Sequence, residues 1–415
     1  MIPQVRERPG RASRNRGEAL FGQRFGAGGG GGDNYIQPSF NVLFDDLGAG
    51  VVSLVPFRAL GSATPTFTRA STAYTRLSSG LWALVGSGDP RSMYSEAGVY
   101  LGYWSEGARA DVLGTTTAIR RTMSDVGWVV GATMTVGTAT GVDGGANACA
   151  LLTGGAVAAT NTILFTTVLG SAERTYSIRV RRVSGTGAVN ITDNGGTNWT
   201  AMTLTATEQL FQVTRTQANP IVGVQVEGNG DSVAVDFNTL EAAAFANPTP
   251  IPINVSKAAD VLTYPIAGNI ANSAGSAYAE ISVGANADKF NDASVLTSNP
   301  SGTSTEVMWV RSGGGNFSIS TRDSAGGTSA SPNMSSTGTS VNKVAVNWGN
   351  SNMQAFANGV AGAAAGSYNG TILDGTANLT LGGVFTGGTP FVGSIRNVRI
   401  WNYALSAAQL QALTT

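Results

Sequence analysis

The sequence predicts an all-β chain: tandem β-sandwich (jelly-roll) domains, an extended N-terminal arm and one short C-terminal helix. Three observations predict it. Charged residues are only 12% of the 415 positions, about half the ~25% usual in soluble domains. Gly, Ser, Thr, Ala and Asn fill the difference, a mix suited to short strands and tight turns rather than long helices. Short segments also alternate with a period of two. TYSIRVRRV sets Tyr176, Ile178 and Val180 against Ser177, Arg179 and Arg181, and IVGVQVEG sets Val222, Val224 and Val226 on one face. Finally, Asn358-Gly359 follows the strand-like MQAFA. A two-residue type I′ hairpin loop needs positive φ at both positions, and Asn-Gly supplies it.

Residues 1–33 stand apart. Arg6, Arg8, Arg11, Arg14, Arg16 and Arg24 stand against Glu7, Glu18 and, after the run Gly28 to Gly32, Asp33. Such a segment cannot bury a core of its own, so it reads as a basic docking arm. Residues 34–110 read as a β-rich joining region with short apolar pieces such as VVSLVPF. Residues 111–245 read as a second β-domain. ANPTPIPINVS, within 246–256, reads as a stiff Pro-rich linker. Residues 257–415 read as a third unit of many short alternating strands, the pattern of a sandwich. Its end, SIRNVRIWNYALSAAQLQALTT, alternates through Asn397, Val398, Arg399 and Ile400. Ser406 and Gln409 then form an S-x-x-Q capping box over a helix with Leu410 and Leu413 on its apolar side.

Composition excludes several chemistries. Histidine is absent and Cys149 is the one cysteine. Triads built on imidazole, thiolate metal clusters and intrachain disulfides are therefore excluded. Formal net charge is zero, so no global field favours nucleic acid. No apolar run is long enough for a transmembrane helix, and the N-terminus has no apolar core of a secretory signal. Glu106, Glu227, Glu241, Glu280 and Glu306 are scattered, and no spacing selects a glycosidase pair. The expectation is a protein without enzymatic activity, metal or cofactor. Asp288, Asp292 and Asp374 lie in loops of the last unit but form no dense ligand run for Ca²⁺. Among Trp199, Trp309, Trp348 and Trp401, the polar, turn-like NGGTNWT context marks Trp199 as the candidate for an exposed, ligand-stacking aromatic.

Three resemblances sharpen this reading. The run GSIRNVRIWNYALSAAQL resembles the end of concanavalin A-like/laminin-G-like sandwiches. FTRASTAY (Phe67 to Tyr74) and YLGYWSEGARADVL (Tyr100 to Leu113) resemble paired phrases of tailed-bacteriophage structural proteins. Glu106, Gly107, Ala108 and Arg109 match there, while Ala110 and Asp111 replace the usual Thr-Asn. Trp128, the Tyr176 strand and Gln225/Glu227/Gly228 resemble a carbohydrate-binding-module-like jelly roll. These resemblances imply a virion structural protein, made in the host cytoplasm. It would be a fibre or adhesin, homotrimeric like most such fibres, that binds host-surface glycans and docks on other virion proteins through its arginine-rich arm. A head fibre or capsid decoration protein, or a glycan depolymerase, are the alternatives.

Overall fold

The computed structural model describes residues 37–415 except 63, 254–255, 284–292, 299–304, 314–315, 332–340, 350–351, 363–367, 369–370, 374–377 and 383–390. The arm with Arg6, Arg8, Arg11, Arg14, Arg16 and Arg24 lies outside the described residues, as do Asp288, Asp292, Asp374 and the side chains of Glu306 and Trp309.

The described chain is all-β, in four principal sheets. Two form the C-terminal sandwich. The larger orders Val360–Ala361, Asn352–Ala357, Asn342–Gly349, Ala274–Val283, Gly393–Trp401, Phe40–Val42 and Arg58–Ala59, with Tyr100–Ser105 and Ser92–Tyr94 branching from it. The facing sheet ends on the pair Val261–Pro265 and Thr66–Thr68. Residues 34–110, read from sequence as a joining region, thus supply strands to both sheets. Phe40 pairs with Ile400, Tyr103 with Ile395, and Phe67 with Leu262. One hydrophobic core runs through Phe40, Tyr103, Trp104, Leu262, Val346, Trp348 and Ile400. Strands 200 residues downstream are needed to cover these N-terminal apolar pieces, so they could not form a layer alone.

The two local signals at the C-terminus are realised. Asn358 and Gly359 have φ of 49° and 80° and join Ala357 to Val360. Ser406 Oγ accepts from Gln409 N while Gln409 Oε1 accepts from Ser406 N, a complete capping box on the helix Ala407–Thr414. The simple alternation of the last strand is interrupted. Asn397 takes φ 53°, and the register against Ala274–Val283 shifts there. This bulge lets Asn397 Nδ2 donate to Glu280 Oε1 at 2.8 Å.

The other two sheets make the jelly roll. One orders Thr135–Ala139, Cys149–Thr153, Ser232–Glu241, Ala172–Ser184 and Gln209–Gln217. The other orders Trp128–Val130, Thr162–Thr166, Ile221–Val226, Val189–Thr192 and Thr200–Ala201. Between them lie Leu152, Ile163, Tyr176, Ile178, Val180, Val222, Val224 and Val226, all buried. The chain leaves the C-terminal sandwich and returns to it at one point. Arg109 N donates to Lys257 O and Lys257 N to Arg109 O, both at 2.8 Å. The jelly roll is therefore an insertion in a discontinuous sandwich. Ile251 and Pro252 of the segment 246–256, expected as an extended connector, lie in the seam. Arg120 donates to Ile251 O at 2.9 Å and Pro252 O at 3.0 Å, and Ile251 is buried.

Candidate functional site

The two outward faces of the jelly roll have different fates. The face carrying Ser177, Arg179, Asp236 and Thr239 is buried against the rest of the chain. Arg121 forks onto Asp236 at 2.7 and 2.8 Å and onto Asp143 at 2.7 and 2.9 Å. Its guanidinium sits 4.5 Å from the Phe237 ring centroid. Phe237 itself has φ 45°, at a shift in register between Ala172–Ser184 and Ser232–Glu241. A bulge re-aims a side chain, and here it delivers Phe237 into the core of the other sandwich, edge-on to Tyr74 at 5.0 Å. Nearby, Trp82 lies between the guanidinium groups of Arg179 (4.3 Å) and Arg76 (5.5 Å). Glu208 accepts from Trp82 Nε1, Arg76 and Arg179. Burial alone would raise the Glu208 carboxyl, but Arg179 and Arg76 outweigh it and hold it below the ordinary carboxylate range.

The two sequence phrases converge beneath this seam. Arg69 of FTRAST pairs with Asp260 at 2.8 Å, and Arg91 pairs with Asp260 at 2.5 Å and Glu106 at 3.1 Å. Lys257 reaches Glu106 at 3.2 Å. All five side chains are 0% exposed, which excludes them from contact with a ligand. Burial raises the Glu106 carboxyl, yet Lys257 and Arg91 more than offset it and leave it at about 2. Removing several charges from water is costly unless each is paired and hydrogen-bonded. Here Thr249 Oγ1 donates to Glu106 Oε2 at 2.7 Å, and Lys257 Nζ donates to Gly107 O at 2.7 Å. The phrases thus serve the junction of the two sandwiches.

The opposite face of the jelly roll meets solvent only in part, at residues such as Val129 and Ala201. Register fixes which side chains share it. Val129, Leu164, Gly223 and Thr192 stand in one row, and Thr162, Gln225, Asn190 and Ala201 in the next. Val129 is 67% exposed. Asn190 Nδ2 donates to Gln225 Oε1 at 2.9 Å and to Glu227 Oε1 at 2.8 Å, and Gln225 Nε2 donates to Ala158 O. Asn190 and Gln225 are only 6% and 8% exposed, so the amides are fixed and hold the exposed Glu227 carboxylate in one place.

Trp199, the sequence candidate, lies at the edge of this sheet. It directly precedes the short edge strand Thr200–Ala201, which pairs with Ile191 and Asn190. Its ring packs on Gly196, where a Cβ would lie 2.8 Å from Cζ2 and where φ is 83°. Glycine is thus required twice over, by the turn and by the ring. Thr192 Oγ1 ties the turn by donating to Asn198 O at 2.8 Å and accepting from Gly196 N at 3.1 Å. Trp199 is half-buried, unlike Trp348 and Trp401, which fill cores. A fixed aromatic and, on the same sheet, a carboxylate held by fixed carboxamides match the chemistry of a sugar, with one apolar ring face and hydroxyls around it.

The sequence marks Gln225 and Glu227 but gives no local signal for Asn190. Adjacent-strand register brings the three together, and the period-two pattern of each strand was the available signal. Among the described residues, no group of acidic and thiol side chains could hold a metal, and no helix is long and apolar enough to cross a membrane.

Residues 257–411 match the family model described as "Concanavalin A-like lectin/glucanases superfamily". No curated protein matches the chain. Among solved structures, domain 4 of an extracellular GH43 arabinanase from Geobacillus stearothermophilus, in complex with arabinotriose, is similar at 17% identity. It covers 42% of this chain and 76% of that one, with a TM-score of 0.29. The receptor-binding domain of botulinum neurotoxin mosaic serotype C/D is similar at 15% identity, covering 37% and 38%, with a TM-score of 0.26. The tandem CBM22 domains of a Paenibacillus barcinonensis protein are similar at 9% identity, covering 72% and 99%, with a TM-score of 0.24. The C-terminal sandwich is thus similar to concanavalin A-like domains over residues 257–411, and strands from residues 40–105 complete its sheets.

Proposed function

We propose that this chain is a structural, glycan-binding protein of a tailed-phage-like virion, and that the free face of its jelly roll is the binding surface. One observation carries the binding reading: one face of the jelly roll is consumed by the seam, while the other presents the exposed Glu227 carboxylate, fixed by the buried Asn190 and Gln225 amides, on the sheet whose edge carries half-buried Trp199. The virion reading rests on the FTRAST and SEGARA phrases. Binding rather than cleavage fits the carboxylates, since Glu106 and Glu241 are buried and Glu280 is engaged by Arg396. Weak single sites add through avidity when many copies share one particle.

Retention of the purified chain on host envelope polysaccharide tests the binding reading. Wild type should be retained and Trp199→Ala should not; absence of wild-type retention at micromolar protein would sink it. Immunogold electron microscopy with antibody to residues 257–415 tests the location. Label at the tail end supports a receptor-binding fibre. Label over the head supports the second reading, a head fibre or decoration protein. Truncation of residues 1–33 tests the arm: particles should lose the protein while its sandwiches stay folded.

A further inference from the structure

We infer that the free face of the jelly roll selects uncharged polysaccharides and turns acidic ones away. The inference rests on the glycan-binding reading above and adds the class of glycan. Glu227, held by Asn190 of the outer row, is the formal charge beside the outward rows, and no lysine or arginine stands among them. Two arginines elsewhere in the jelly roll are already engaged: Arg215 with Asp193 at 3.0 Å and Arg182 with Asp231 at 3.6 Å. A polymer bearing carboxylates, sulfates or phosphates would meet a fixed negative charge and no cation to receive it. A neutral sugar meets the opposite situation. Its hydroxyls donate to Glu227, and a hydrogen bond to an ionised acceptor is about twice as strong as a neutral one.

The carboxylate is also placed in advance. Asn190 spends both amide hydrogens, one on Gln225 Oε1 and one on Glu227 Oε1, so little ordering remains to be done on binding. Val129 and Leu164 in the adjoining row, and Trp199 toward the opposite edge of the same sheet, add apolar surface for ring faces rather than for charged groups.

Affinity gel electrophoresis of the full chain decides this, with neutral polymers (xylan, mixed-linkage β-glucan, galactomannan) and acidic ones (alginate, polygalacturonate, hyaluronan) in parallel lanes. The expected result is retardation by one or more neutral polymers and by none of the acidic ones. Glu227→Gln should weaken neutral binding about tenfold, and Trp199→Ala should abolish it, both with unchanged circular dichroism. Retardation by acidic polymers equal to that by neutral ones would overturn the selectivity and leave the glycan-binding reading standing. No retardation by any polymer would overturn both. Neutral binding untouched by either substitution would place the site elsewhere and overturn the inference.

Discussion

The two outward faces of the jelly roll are built from the same kinds of residue and are covered differently. Arg179, Ser177, Asp236 and Thr239 alternate with core residues just as Asn190, Thr192 and Gln225 do. The first set is sealed against the other sandwich; the second set is buried too, and on that side Val129, Ala201 and Glu227 meet solvent. A polar face in an alternating strand therefore means only that it avoids its own core. Whether it meets water or another domain depends on what the chain folds onto it. On the seam, polarity is tolerated because nearly every charge has a partner. On the free face, the exposed Glu227 carboxylate is left available.

The sharpest way to break this comparison is to unpair the charges beneath the seam. Asp260→Ala leaves Arg69 and Arg91 without their shared carboxylate. Breaking a buried pair costs about 3–5 kcal/mol. The measurement is denaturant unfolding; a loss under about 1 kcal/mol would show that the network is not essential to the junction. Phe237→Ala should follow at about 3 kcal/mol, the lower end for removing a buried phenyl ring. The two sandwiches should then unfold in separate calorimetric transitions; a single, merely lowered transition would contradict the peg role.

Acidity sharpens the comparison within the seam itself. Burial, together with the nearby Asp111 and Glu106 carboxylates, outweighs Asn247 N–H and Arg109 and raises the Glu241 carboxyl from its ordinary 4.5 to about 7. A carboxyl raised in the folded state binds its proton more tightly there than in the unfolded chain. Its contribution is therefore whole below pH 4.5 and declines as pH rises to about 7. The decline amounts to about 3 kcal/mol at 1.36 kcal/mol for each pKa unit. Glu106, held at about 2, behaves oppositely: its contribution is present above its ordinary 4.5 and is lost as pH falls toward 2. Glu241→Gln should flatten the fall in melting temperature between pH 4.5 and 7, and an unchanged slope would exclude Glu241 as its source. On the free face, Trp199→Ala should change stability least, by under about 1 kcal/mol, while abolishing polysaccharide retention. A larger loss of stability would mark Trp199 as a packing residue.

Much of the local structure was legible in the chain. The capping box at Ser406 and Gln409, the Asn358-Gly359 hairpin and the alternating Val222, Val224 and Val226 all depend on residues within a few positions of one another, and short-range sterics and hydrogen bonding settle such features. The bulges at Phe237 and Asn397 were not legible, because positive φ at a Phe or Asn is imposed by strands far away in sequence. The charged residues Arg69, Arg91, Glu106, Lys257 and Asp260 were also visible as letters, two of them inside recognised phrases. Their burial was not visible, since it arises only when segments about 170 residues apart, such as Arg91 and Asp260, close on each other. The same holds for the candidate site. Trp199 stood out by its Gly-rich context, but Asn190 joined Gln225 and Glu227 only through strand register. The sequence by itself determined which short segments would be strands, where they turn and which faces are apolar. Tertiary structure decided that residues 34–110 complete the last sandwich, that Ile251 and Pro252 of the linker lie in the seam, and which polar face is free, because long-range pairing alone chooses what covers what.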